Sequence, residues 1–121
     1  MRLSCGTRTS PDGSVAVLAA KGEVDVATAP VLRDALDQLQ PDAQTVVIDL
    51  AGVTFLDSTG LGVLIGARRR LLPAGIRMLV INAIPTVWRV FKMTGLIEPL
   101  RVHPAPEPPD VSDPFVLAAA S

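Results

Sequence analysis

Three consecutive side chains in this sequence could do chemistry: Asp57, Ser58 and Thr59, followed at once by Gly60-Leu61-Gly62. They fall between apolar residues that read as a strand, Val46-Val47-Ile48-Asp49-Leu50 with Phe55-Leu56, and the start of a helical pattern at Val63-Leu64. A hydroxyl at such a join lies beside helix amides that have no intrahelical partner, where an added anion is tolerated. Ser58 is therefore a candidate phosphate acceptor, a switch rather than a packing residue. The same position also suits an ordinary N-cap serine, and position alone does not separate the two. Thr59 reads as a cap or as β-branched filling of the first turn. Asp57 reads either as a turn residue or as the group that orients the serine hydroxyl and helps a kinase recognise it.

A serine between strand and helix also suits a covalent nucleophile. However, the Gly-x-Ser-x-Gly pattern is absent, and the only histidine, His103, lies at the junction with the Pro-rich tail, a poor place for a rigid general base. Gly60-Leu61-Gly62 lacks the preceding glycine of a dinucleotide fingerprint, and there is no Walker lysine. His103 has no second ligand beside it, and Cys5 is the single cysteine, so neither a metal site nor an internal disulfide is indicated. Arg68-Arg69-Arg70 is basic but has no interleaved aromatics, and Arg69 and Arg70 fall on the solvated side of a helix. The formal net charge of −1 supplies no global field to recruit nucleic acid. No catalytic residue, cofactor or metal is expected.

The elements that must hold these residues follow from periodicity. Residues 2–9 have weak strand character, Pro11-Asp12-Gly13-Ser14 is a turn, and Val15 to Ala20 is a strand, giving an opening hairpin. After a loop from Gly22 to Asp25, Thr28 is placed as an N-cap and Pro30 in the first helical turn. Val31, Leu32, Ala35, Leu36 and Leu39 recur at helical spacing, and Pro41 ends that helix. Thr45 to Leu50 reads as a central strand and residues 59–72 as a helix with Leu61, Leu64, Ile65, Arg68 and Leu72 on one side. Gly60, Gly62 and Gly66 each cost that helix about 1 kcal/mol relative to Ala, which suggests close approach to the sheet or to a partner. Ile76 to Ile81 is a strand, Pro85 to Thr94 a helix closed by Gly95, and Leu100 to Val102 a last short strand.

Alternating strands and helices predict an α/β fold, a small mixed β-sheet of about four to five strands packed against helices. The 121 residues suffice for one core. With one Trp, three Phe and no Tyr, that core must be built from Val, Leu, Ile and Ala. Five prolines from Pro104 to Pro114 exclude a regular helix or inner strand there. The predicted division is a domain over residues 1–103 and a largely extended, Pro-rich C-terminal tail over 104–121, with Phe115 to Ala119 as a short docking turn or helix. No apolar run spans a membrane and no apolar stretch precedes Cys5 as in a secretory leader, so a cytoplasmic protein with a reduced thiol is expected. Whether the chain dimerises is left open, since the sheet can fully occupy the apolar helix faces.

Asp57-Ser58-Thr59-Gly60-Leu61-Gly62 resembles the phosphorylation motif of bacterial anti-sigma factor antagonists, which are single STAS domains. Gly22-Glu23-Val24-Asp25 with Ala29-Pro30 resembles the family's first strand-to-helix loop, and Met93-Thr94-Gly95-Leu96 the end of its third helix. The likeness covers roughly residues 2 to 102 in order; the Pro-rich tail departs from it, since the family commonly places a fourth helix there. The resemblance implies partner switching. Unphosphorylated protein would bind an anti-sigma factor that is also a serine kinase and so release a sigma factor. Phosphorylation of Ser58 would inactivate it, and a metal-dependent serine phosphatase would restore it. Gly22, Glu23, Asp25, Asp57, Ser58, Thr59 and Gly60 would form the partner-binding surface, with no direct nucleic-acid or membrane contact. A different job on the same fold, a scaffold in a stress-sensing complex or an accessory subunit of a lipid transporter without phospho-switching, is the alternative.

Overall fold

Five strands and three helices alternate along the chain in the computed structural model, which describes residues 2–39 and 42–106. β1 (Leu3–Thr9) and β2 (Val15–Val24) form an antiparallel hairpin. The expected turn closes it, and Asp12 organises that turn. Its carboxylate accepts from Ser10 Oγ at 2.8 Å, from the Ser14 N–H at 3.0 Å and from Ser14 Oγ at 2.8 Å. These donors, the Ser14 amide foremost, favour the charged form and lower the Asp12 pKa to about 2.

α1 (Ala29–Asp37), β3 (Thr45–Leu56), α2 (Ser58–Leu71), β4 (Arg77–Ala83), α3 (Pro85–Met93) and β5 (Val102–Pro104) follow. The sheet runs in the order β1-β2-β3-β4-β5, and every pair after the hairpin is parallel. Each helix is thus the crossover that two parallel neighbours require. Every crossover advances the sheet by one strand in the same direction, so crossovers of one hand lay all their helices on one face. Burial agrees with this. Leu18, Ile48, Leu50 and Val80 share a single cluster with Leu32 and Leu36 of α1, Leu61 and Leu64 of α2, and Val87 and Phe91 of α3. Val17, Val47 and Leu79, aligned across three strands, alternate to the other face and stay half-buried outside that cluster.

Several element ends differ from expectation. β2 does not stop at Ala20; Gly22, Glu23 and Val24, expected in a loop, continue it against Val53, Phe55 and Leu56 of β3. β3 in turn runs on past Leu50 to Leu56. Register shifts between Ala19 and Lys21 and between Gly22 and Glu23 each absorb one extra residue of β3, so the pairing continues through bulges past Gly22. Gly22 has φ +121°, and a Cβ there would lie 2.1 Å from the Arg2 carbonyl oxygen, so only glycine fits. α1 ends at Asp37, with Gln38 as its C-cap, while Pro41, expected to end it, lies outside the described residues. α3 closes as expected on Gly95. Its N–H donates to Lys92 O and the Leu96 N–H to Phe91 O, the reciprocal pair of a Schellman motif. Leu100 is a buried core residue ahead of β5 rather than its first residue. β5 reaches Pro104, where the tail was expected to begin, and the Ala105 N–H still bonds Ala83 O. Residues 107–121, with the possible helix at Phe115 to Ala119, lie outside the described residues. Cys5, half-buried in β1, has its thiol pKa pushed up by burial.

Candidate functional site

The join of β3 and α2 is built by Asp57. It sits in extended backbone ahead of the first helical residue, and its Oδ1 accepts the Thr59 N–H at 2.9 Å and the Gly60 N–H at 3.2 Å. Asp57, not Ser58, is therefore the N-cap, and the reading of Ser58 as a capping serine is corrected. Position decides this: Asp57 is the last extended residue and Ser58 is already helical, and the carboxylate brings charge as well as an acceptor to the positive end of the helix. Ser58 becomes the first helical residue and is exposed, while Thr59 behind it is half-buried. The two adjacent residues divide the work: one closes the helix, the other presents a hydroxyl to solvent.

Gly60, expected at the partner surface, is buried instead. A Cβ there would lie 2.5 Å from Leu56 Cδ1 and 2.7 Å from Val24 Cγ1, so glycine lets α2 start hard against the ends of β2 and β3. This accounts for only one of the three costly helix glycines. A Cβ on Gly62 would meet nothing within 4 Å, and one on Gly66 only the Arg70 guanidinium at 3.9 Å.

The Gly22–Asp25 segment lies beside this join. The Asp57 N–H donates to the Val24 carbonyl at 3.2 Å, which pins the two segments together. Glu23 is exposed, and its N–H donates to Arg2 O at 2.6 Å. The Asp25 carboxylate accepts the Ala27 and Thr28 N–H groups, both at 3.0 Å, and pairs with Arg2. Thr28 stands at the N-cap position of α1 but makes no side-chain bond into that helix. Its hydroxyl accepts the Asp25 N–H at 2.9 Å and donates to Glu23 O at 2.7 Å, bracing the loop in front instead. Glu23, Asp57 and Ser58 thus gather at the carboxyl ends of β2 and β3, together with Asp25, whose charge is already engaged.

Sequence reasoning missed Arg2, which lies 23 residues from its ion partner. It also missed the exposure of Val26 (75%) and Phe55 (48%), two large apolar groups flanking the join. Strict alternation from Val46, Ile48 and Leu50 also puts Phe55 on the outer face, but β3 was expected to end before it. His103 is exposed on β5, two strands removed from β3. Among the described residues no group of three or more His, Cys, Asp or Glu could hold a metal ion. No helix among them is long and apolar enough to cross a membrane.

A five-stranded sheet with its crossover helices on one face is the architecture of a known class. The STAS domain family matches residues 8–107, and the chain belongs to it. The anti-sigma-B factor antagonist of Listeria monocytogenes is 35% identical over 82 residues, 67% of this chain and 72% of that protein. An anti-sigma factor antagonist from Mycobacterium paratuberculosis superposes with a TM-score of 0.75 at 27% identity, covering 97% of this chain and 92% of that one. SpoIIAA, an anti-sigma factor antagonist, superposes in its unphosphorylated form with a TM-score of 0.67 at 26% identity over 86% of this chain and 90% of its own. The phosphorylated form of SpoIIAA from Bacillus gives 0.62 at 25% identity, over 86% and 93%.

Proposed function

We propose that this chain is an anti-sigma factor antagonist whose binding state is set by Ser58. Unmodified, it binds an anti-sigma factor that is also a serine kinase, and so frees a sigma factor in the cytoplasm. Phosphorylated on Ser58 by that kinase, it no longer binds, and a metal-dependent serine phosphatase reverses the change. In this cycle the chain is a substrate and a ligand, not a catalyst. The observation that carries the reading is the exposed hydroxyl of Ser58 at the first position of α2, relieved of capping by Asp57, in a chain with antagonist relatives.

Magnitudes favour a block over a refolding. Phosphate brings about −1.5 to −2 charges at neutral pH. At a helix N-terminus an anion is worth roughly 0.3–1 kcal/mol in favour of the fold. Like charges set against each other across an interface cost several kcal/mol. With Asp57 adjacent and Glu23 exposed nearby, a phosphate concentrates negative charge on one surface, which suffices to repel an acidic partner surface while α2 stays formed.

Calorimetry with the serine-kinase anti-sigma factor of the same organism tests this, using wild type, Ser58→Ala and Ser58→Asp. Binding by the first two and not the third is expected. Equal binding by all three would remove Ser58 as the switch and favour a STAS scaffold without phosphorylation.

A further inference from the structure

At the far end of α2 from Ser58, a cavity of about 330 Å³ opens between the last turn of α2, the start of β4 and the turn that precedes β5. Each of these three elements contributes an arginine to its lining, Arg68, Arg77 and Arg101, and Glu98 is the single acid. None of the three guanidiniums is within ion-pair distance of a carboxylate among the described residues, where the pairs are Arg2–Asp25 and Arg70–Asp37. Three arginines around one concavity bring like charges together, and a concave site focuses their field outward. Arg101 also holds φ +50°, in a left-handed region unfavourable for any residue with a Cβ and over-represented at ligand-binding positions. That backbone is fixed by the Arg101 N–H to Glu98 O at 3.1 Å and the Val80 N–H to Arg101 O at 3.2 Å.

We propose that this cavity binds a small, multiply charged phosphate anion. Guanidinium forks match phosphate oxygens bidentately, which relieves the mutual repulsion of Arg68, Arg77 and Arg101. Glu98 tilts the balance towards ligands with more than one negative charge, because a monovalent anion gains too little to offset it. The anion has two sources, a free inorganic phosphate or the phosphate group of a small organic molecule. Leu72 and Pro99, on the same wall, offer apolar surface to the latter. α2 has 14 residues, so the cavity lies roughly 20 Å from Ser58 and its occupancy is independent of the switch proposed there.

Titrating the whole chain with pyrophosphate in low-salt buffer, by calorimetry and by backbone amide shifts, tests the site. One-to-one binding with shifts at Arg77, Glu98 and Arg101 is expected. Arg77→Gln and Arg101→Gln should each weaken it by about tenfold or more, the loss expected for one charge-assisted contact. Compared at about 0.15 M salt, where exposed charges more than about 8 Å apart are largely screened, Arg69→Gln, which removes the same charge from an exposed position that does not line the cavity, should leave affinity within about twofold. Thermal melts establish that each variant is folded, and the amide shifts of the wild type stand whether or not a variant folds. Phenyl phosphate binding more tightly than inorganic phosphate assigns the site to an organic phosphate; equal binding assigns it to the free anion. Absence of both heat and shifts at millimolar pyrophosphate overturns the proposal, as does an equal loss for Arg69→Gln and Arg101→Gln.

Discussion

The Asp57 amide donates to the Val24 carbonyl at 3.2 Å, while the Asp57 carboxylate receives two amides of α2. One residue therefore ties the end of β2, the end of β3 and the start of α2 together, and sets where Ser58 stands.

Removing the Asp57 carboxylate should be costly for that reason. Asp57→Ala is expected to lower stability by about 0.5–2 kcal/mol, the usual loss for an N-cap, and Asp57→Ser to recover most of it. Urea denaturation measures both. A partner defect that persists in Asp57→Ser after stability has recovered would assign the carboxylate to recognition as well.

Ser58→Asp should leave the fold intact or slightly firmer. A carboxylate at the first helical position gains roughly 0.3–1 kcal/mol from the helix dipole, and less at high salt. Thermal melts at low and high salt check this; marked destabilisation at both would show that residue 58 has a folding duty absent from the contacts described.

Gly60 and Gly62 should respond with opposite signs. Gly60→Ala drives a methyl against Leu56 and Val24, an overpacking expected to cost about 1–3 kcal/mol less the helix gain. Gly62→Ala meets open space and should stabilise α2 by up to about 1 kcal/mol. If Gly62→Ala is more stable yet binds the anti-sigma partner less well, the bare helix surface next to Ser58 is part of the interface.

Acid should spare the hairpin turn until late. Asp12 has a folded-state pKa of about 2, below the roughly 3.9 of an unstructured aspartate. Its contribution is therefore complete above the higher value and is lost as pH falls through the lower one. Carboxyl carbon shifts should place the Asp12 midpoint near the lower value, and Asp12→Asn should abolish the pH dependence of the Ser14 amide. A midpoint near 4 would mean that the turn bonds are not formed in solution.

The alternation of apolar strand runs with helical spacing made the fold legible, because the parallel crossovers that follow the opening hairpin leave their mark in local sequence. The place of Ser58 at the start of α2 was legible as well, since a helix start has local grammar. The misreadings cluster where tertiary contacts override that grammar. Gly22 was expected in a loop, but it continues β2 beside a bulge in β3, where the Arg2 carbonyl leaves no room for a Cβ. Thr28 does take the expected N-cap position, but its hydroxyl braces Glu23 and Asp25 instead of bonding into the helix. Asp57 took the capping role because two amides converge on one oxygen, a geometry invisible in the letters. The Arg68, Arg77 and Arg101 grouping could not be read at all, because it exists only once α2, β4 and the turn before β5 meet.

With Asp57 as the cap, nothing in the local fold depends on the side chain next to it. A saturation map of folded abundance should therefore show residue 58 as a permissive column between two strict ones, 57 and 60. Any constraint that a functional selection adds at 58 can then be attributed to what the protein meets, not to how it folds.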